Sequence, residues 1–291
     1  MINWREVELK DKAAVDALIC ASGCHGADYG FANLYIWRKA YRTMISFTEN
    51  RLLVSMPDWN VYAYPKGGGD PRASVELLLE EAHAKGEKLL LRGLTDKTLA
   101  EFLPLYGDRF EITEDRDNAD YIYSKQKLCD LPGRHLASKR NHIHKFEKNG
   151  EWELQKIGDI EAAREFIAEF YKEKNDPDLA AESEAINEMF EHFDDLGFRA
   201  ALLYQKGRPV AFSAGTKLDN EVFDVHFEKA LPGVDGAYTM INREFARMIA
   251  AEFPDIEAFN REEDMGLEGL RKAKESYHPD VLLMKYFAKE K

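Results

Sequence analysis

The sequence is poor in cysteine, in long apolar runs and in positive charge. Its 291 residues hold three cysteines, Cys20, Cys24 and Cys129. So small and odd a set argues against a secreted disulfide framework, and reduced thiols are expected. No apolar stretch approaches the roughly 18 residues that suggest a membrane span, and the opening MINWREVELKDK lacks the basic-then-apolar layout of a signal peptide. A cytoplasmic location is the expectation. Lys and Arg number 40 against 53 Asp and Glu, a formal net charge of -13, which repels phosphate backbones and excludes a broad nucleic-acid groove. No nucleophile elbow, phosphate-binding loop or dinucleotide fingerprint occurs, so covalent serine catalysis, kinase activity and nicotinamide chemistry have no support.

Apolar residues make up 45% of the chain and aromatics 12%, enough for large cores. At about 100–200 residues per domain the length asks for two. Charge is unevenly placed: Lys125, Lys127, Arg134, Lys139, Arg140, Lys145 and Lys148 face only Asp130 and Glu147 within one stretch. This basic island stands out against an acidic remainder.

An internal repeat organises the chain. Trp4 opens WREVELKDKAAVDALI and Trp152 opens WELQKIGDIEAAREFI, each a β-rich run, an Asp at the helix N-cap position (Asp11, Asp159) and an apolar helical stripe. Both copies continue with helical sequence and a hairpin pattern, RTMISFTENRLLVSM and FRAALLYQKGRPVAFSAGT, with Glu-Asn and Lys-Gly at the turns. A glycine-rich bend, a helix, a strand, a helix and a last strand (ADYIYS, DVLLMKYFA) complete each copy. The order β-α-α-β-β-β-α-β-α-β, twice, predicts an α/β protein with mixed sheets. The expected division is a domain over 1–133, a basic connecting helix over 134–149 and a second domain over 150–291.

That order resembles the acyl-CoA N-acyltransferase (GNAT) fold, and its tandem arrangement is similar to the C-terminal domain of phosphatidylglycerol lysyltransferases and their bacterial relatives. The stretches that carry the resemblance are DYGFANLYIWR at 28–38, SKRNHIHKF at 138–146 and FNREEDMGLEGLRKAKESYHP at 259–279. It implies two tandem GNAT-like domains and transfer of an aminoacyl group from its tRNA to an amine or hydroxyl, with no required cofactor. The lysyltransferases carry a multi-span membrane domain ahead of this unit, whereas this sequence begins with the soluble part. The implied acceptor is a small molecule or a lipid headgroup.

The residues themselves point to two anomalies. In GLEGLRKAKESY, Leu267, Leu270, Lys274 and Tyr277 fall on one helical stripe with Arg271 beside it. Burying a cation unpaired costs several kcal/mol, so Lys274 requires a partner. Asn260, Arg261, Glu262, Glu263 and Asp264 follow an apolar strand, where α/β sheets commonly present functional groups. Over 134–148, Leu136, Arg140, Ile143 and Glu147 share a stripe, with Lys139 and Phe146 alongside. Again a cation joins an apolar face. The expected catalytic set is Arg271 and Lys274, holding the donor and stabilising an oxyanion, with Glu262 or Asp264 positioning the nucleophile or orienting a cation. The expected substrate-binding set is Lys139, Arg140, Asn141, Lys145, Asn260, Arg261 and Tyr277, converging where the two copies join. The plainer alternative is a structural ion-pair network or a snorkelling lysine for the first anomaly, and a solvated face that ends the first copy for the second.

Three further patterns remain. The turn Leu231–Ala237 occupies the place where GNAT enzymes grip the coenzyme A pyrophosphate, through Gly233, Gly236 and Ala237; Asp235 would repel that anion. In the first copy KGGGDP keeps the glycines and adds Lys66, while Pro71 removes a donor. Asp224, His226 and Glu228 alternate along one strand, which would send all three to one face as candidate bases. His142 and His144, two apart, diverge on a helix, and Cys20, Cys24 and His25 have no fourth ligand nearby, so no metal is expected. Three functions stay open: aminoacyl-tRNA-dependent transfer, CoA-dependent acetylation of a small amine, and non-catalytic ligand binding on the same fold.

Overall fold

Both turns read from the sequence close hairpins. Lys206 and Gly207 adopt φ of 53° and 74°, the left-handed pair that a two-residue hairpin demands, and join β10 (Arg199–Gln205) to β11 (Arg208–Lys217). Around Glu49-Asn50, β2 (Met44–Phe47) pairs antiparallel with β3 (Arg51–Met56). The computed structural model describes residues 2–158, 160–172 and 178–291; the expected cap at Asp159 lies outside them.

The first compact unit comprises the chain up to Asp120 with Glu263–Glu268 and Leu282–Lys291. Its strands are β1 (Arg5–Glu6), β2, β3, β4 (Val61–Ala63), β5 (Lys66–Gly67), β6 (Leu90–Thr95), β7 (Phe110–Glu114) and β15 (Lys285–Glu290), and its helices α1 (Lys12–Ser22), α2 (Phe31–Ile36), α3 (Arg38–Tyr41), α4 (Arg72–Ala84) and α5 (Asp96–Tyr106). The sheet runs β1-β2-β3-β4-β6-β15-β7, with β5 paired to β3. Val75, Leu78, Leu79 and Ala82 of α4 recur at helical spacing, and all four are buried against Tyr62, Leu91 and Phe102.

The second unit comprises Tyr121–Glu262 and Gly269–Val281. Its sheet runs β9 (Trp152–Lys156)-β10-β11-β12 (Val222–Ala230)-β13 (Ala258–Asn260)-β8 (Asp120–Ser124)-β14 (Val281–Leu283). The helices of this half are α6 (Lys125–Asp130), α7 (Ala137–Lys148), α8 (Ile160–Tyr171), α9 (Asp178–Glu191), α10 (Phe193–Leu196), α11 (Ala237–Glu252) and α12 (Glu268–Glu275). Phe223 packs on Phe245 of α11 and on Phe259 of β13. Among the described residues no helix is long and apolar enough to cross a membrane.

Place by place the two sheets repeat each other, apart from β5, and in each the sixth place is taken by the last strand of the other copy. β8 stands beside β13, and β15 stands between β6 and β7. The compact units therefore differ from the contiguous segments 1–133, 134–149 and 150–291, because strand pairing follows contacts and the repeat follows sequence. Apart from β5, each copy also holds, among the described residues, one strand more than its pattern suggests. FEITE forms β7, and DVLLMKYFA divides at Met284 into β14 and the start of β15.

β15 enters the first sheet with a buried charge. Lys285 Nζ lies 2.6 Å from Asp120 Oδ1 and 2.8 Å from Asp28 Oδ2, and Asp120 Oδ2 accepts from the Ala27 amide at 2.8 Å. Burial alone would lower the Lys285 pKa; Asp120, Asp28 and Glu263 hold it well above its ordinary value. Removing one partner of a buried ion pair strands the other charges. Lys285→Ala should lower unfolding stability by about 3–5 kcal/mol, and an unchanged urea midpoint would show that the triad contributes little.

Candidate functional site

The second unit gathers its polar side chains where β12 and β13 stop pairing. The two strands are parallel and in register only from Val222↔Ala258 to Asp224↔Asn260; beyond that point the Arg261 amide donates to the Tyr121 carbonyl and the Glu262 carbonyl accepts from the Tyr121 amide. After β13 the backbone turns sharply: Glu262 has φ 56°, and its amide donates to Asn260 Oδ1 at 2.7 Å. Lys274, 7% exposed, donates from Nζ to the Arg261 and Glu262 carbonyls at 2.5 and 3.0 Å. Its own carbonyl accepts from Tyr123 Oη at 2.7 Å. The buried cation found from the helical stripe thus fixes the segment that carries Arg261.

Held there, Arg261 donates from Nη2 to Glu228 Oε1 at 2.8 Å, and Asn242 of α11 donates from Nδ2 to Glu228 Oε2 at 3.0 Å. Two cations share one ring: Lys139 Nζ lies 4.0 Å and the Arg261 guanidinium carbon 5.1 Å from the Tyr277 centroid. Lys139 also donates to Ser276 Oγ at 2.6 Å. Burial, then the Arg261 charge, pushes the Lys139 ammonium down to about 8, with Glu228 opposing. Burial alone would lower Arg261 as well, but Glu228, Tyr123 and Tyr277 raise it above its ordinary value. Burial pushes the Tyr277 phenol up to about 12. Arg261 Nη1 is buried with no hydrogen-bond partner. A fixed cation with a free donor therefore stands beside an amine whose pKa burial and that cation lower to about 8.

The family described as phosphatidylglycerol lysyltransferase, C-terminal, matches residues 22–289. The chain belongs to this family. A conserved protein of unknown function from Bacteroides thetaiotaomicron is 34% identical, with each chain fully covered and a TM-score of 0.94. L-PGS from Bacillus licheniformis is 14% identical, covering 98% of this chain and 93% of that one at a TM-score of 0.67. A tandem GNAT protein from the clavulanic acid biosynthesis pathway, 11% identical, covers 99% and 98% at 0.51. An uncharacterised protein of Mycoplasmoides gallisepticum is 22% identical over 179 residues, 59% of this chain and 56% of that one; the match spans about half the length of that relative. The fold is tandem GNAT-like with mixed sheets, and family and fold together support an acyltransferase-like function.

Within this lysyltransferase-type domain the residues expected from sequence separate into groups. Lys139, Asn260, Arg261, Glu262, Lys274 and Tyr277 come together in the second unit. Arg140 donates to the Leu131 carbonyl and, at 2.8 Å, to that of Gly133, tying α7 to the preceding turn. Asn141 and Lys145 lie on the exposed side of α7, where with His144 and Lys148 they line an open concavity of about 570 Å³. Asp264 belongs to the first unit, where its Oδ2 accepts from Arg116 at 3.0 Å. Arg271 is half-buried on α12. Leu267 precedes the regular turns of α12 and is 56% exposed, so the buried stripe starts at Leu270.

The strand Asp224–Glu228 corrects an expectation. Ala214 pairs with Phe227 but Thr216 with Asp224, so β12 carries an extra residue and the alternation breaks. Glu228 faces α11, while His226 meets Thr216 Oγ1 at 2.9 Å, Glu262 Oε1 at 3.0 Å and Asp224 Oδ2 at 3.6 Å. Asp224, His226 and Glu262 bring one ligand-type atom each within 4.8 Å of the others. Gly215 permits the bulge, since a Cβ there would overlap the Asp224 carbonyl and the Phe223 ring.

The Gly233–Ala237 turn does begin α11, with Gly236 at φ 82°. A Cβ on Gly236 would overlap the His142 carbonyl oxygen, so α7 packs directly on the turn. Asn242 escaped the sequence reading. It sits on the buried stripe of α11 with Thr239, Phe245 and Ile249, the same polar-on-apolar signal that disclosed Lys274. A titration followed by NMR should place the Lys139 midpoint near 8, and Arg261→Met should move it upward, because loss of a neighbouring positive charge favours the protonated amine. A midpoint indifferent to that substitution would contradict the shared-ring electrostatics.

Proposed function

We propose that the second unit transfers an aminoacyl group from aminoacyl-tRNA to an amine or hydroxyl acceptor. The observation that carries this reading is the buried Arg261 with its unpartnered Nη1 beside Lys139, two cations on the face of Tyr277. Arg261 Nη1 faces the ester carbonyl and stabilises the oxyanion that forms when the acceptor attacks. Lys139, in its neutral form, takes the proton from the attacking amine or hydroxyl. The acceptor–carbonyl bond forms, the ester C–O bond to the ribose breaks, and Lys139 returns the proton to the departing ribose oxygen. Lys274, Asn260 and Glu262 act through Arg261 by fixing the turn that carries it. The basic outer side of α7, with Lys145 and Lys148, supplies positive charge for tRNA phosphates on an otherwise acidic protein.

A tandem GNAT-like fold is compatible with coenzyme A. At the Gly233–Ala237 turn, however, the His142 carbonyl oxygen packs on the helix N-terminus and Asp235 adds a carboxylate. The carbonyl oxygen places negative character against the helix N-terminus where a pyrophosphate would sit, so these residues do not fit that group.

With hydroxylamine as a generic acceptor and labelled aminoacyl-tRNA as donor, Arg261→Met should reduce transfer by about 10²–10³-fold. In the wild type the rate should rise with pH through about 8 as Lys139 loses its proton, and Lys139→Met should abolish that limb. Transfer that survives both substitutions would remove the proposed chemistry.

A further inference from the structure

The polar cluster around Glu228 extends past Arg261. Asn242 is 3% exposed and Ser213, the register partner of Glu228 across β11 and β12, is fully buried. Asn242 uses its amide nitrogen on Glu228, and its Oδ1 has no hydrogen-bond partner; neither has Ser213 Oγ nor Arg261 Nη1. Leaving a buried polar atom unsatisfied costs about 1–3 kcal/mol, so one such atom on each of the two side chains bonded to Glu228, and a third on its register partner, are a strong demand for complementary groups. The set is mixed in kind: Asn242 Oδ1 only accepts, Arg261 Nη1 only donates, and Ser213 Oγ does either. Whatever satisfies it offers a donor and an acceptor within one small group.

We propose that Glu228, Asn242 and Ser213 form a subsite for the free α-amino group of the donor acyl chain, next to Arg261 Nη1, which takes its carbonyl oxygen. This inference rests on the aminoacyl-transfer reading and names the substrate feature that the site reads. An α-aminoacyl group carries its ammonium on the carbon adjacent to the carbonyl, so one residue presents the required donor and acceptor side by side. Each Glu228 oxygen holds one hydrogen bond to protein and keeps capacity for another, which supplies the countercharge for an ammonium near Arg261 and Lys139. The Arg261 and Glu228 side chains retain 13% and 11% exposure, so the cluster is open to solvent on their side. An acyl chain with a blocked nitrogen has fewer donors and adds bulk at buried acceptors. The site is thereby selective for unblocked aminoacyl donors.

The test compares non-hydrolysable 3′-aminoacylamino-3′-deoxyadenosines, carrying lysyl, alanyl and glutamyl groups, with their N-acetyl counterparts by calorimetry on the full chain. At least one free-amino analogue should bind at least tenfold more tightly than its N-acetyl form. Asn242→Leu and Ser213→Ala should shrink that ratio towards one without a comparable loss of affinity for the N-acetyl form. Equal binding of the free and blocked forms overturns the subsite and leaves the transfer reading standing. Binding of no analogue at millimolar concentration overturns the transfer reading and the subsite with it. Should Asn242→Leu fail to fold, the wild-type ratio decides alone.

Discussion

The burial of Lys274 against two backbone carbonyls is the constraint on which the candidate site depends. An ammonium on the apolar stripe of a short helix is tolerable only when its donors are satisfied, and here the Arg261 and Glu262 carbonyls satisfy it. The consequence reaches beyond the lysine. The turn after β13 includes a non-glycine residue in left-handed backbone, a conformation that surrounding contacts must hold in place. With that turn fixed, Arg261 is directed at Glu228 and at the Tyr277 face, and its charge adds to burial in lowering the proton affinity of Lys139. A buried lysine thus holds in place the backbone that carries Arg261.

The bulge in β12 does complementary work on the other strand. A regular strand would place Asp224, His226 and Glu228 on one face and merge their charges into one field. The extra residue opposite Gly215 separates them, so that Glu228 serves the Arg261 cluster while His226 lies with Thr216, Asp224 and Glu262. Two polar clusters with different chemistry then coexist around one pair of parallel strands, just beyond the last rung of their ladder.

Duplication is visible twice in this protein, in the sequence pattern and again in matching strand orders, yet the copies exchange strands. Each sheet needs the final strand of the other copy for its sixth position. In the first unit that strand brings Lys285 into contact with Asp120 and Asp28, so the exchange is held by a buried ion-pair triad as well as by ladder hydrogen bonds. Chain topology alone therefore makes each half's core depend on residues far away in sequence.

Periodicity, turn chemistry and charge placement were enough to read the repeat, both hairpins, the basic helix and the misplaced cation at Lys274, because each is a local property of a few consecutive residues. The family resemblance lay in three short stretches for the same reason. Which strand completes which sheet, the break in alternation at Gly215, the convergence of Lys139 and Arg261 on Tyr277, and the partners of Asn242 and Ser213 came only with the tertiary structure. These depend on long-range pairing and on the field that one side chain feels from another. The sequence could show that a cation would be buried; only the folded chain decided what it would hold.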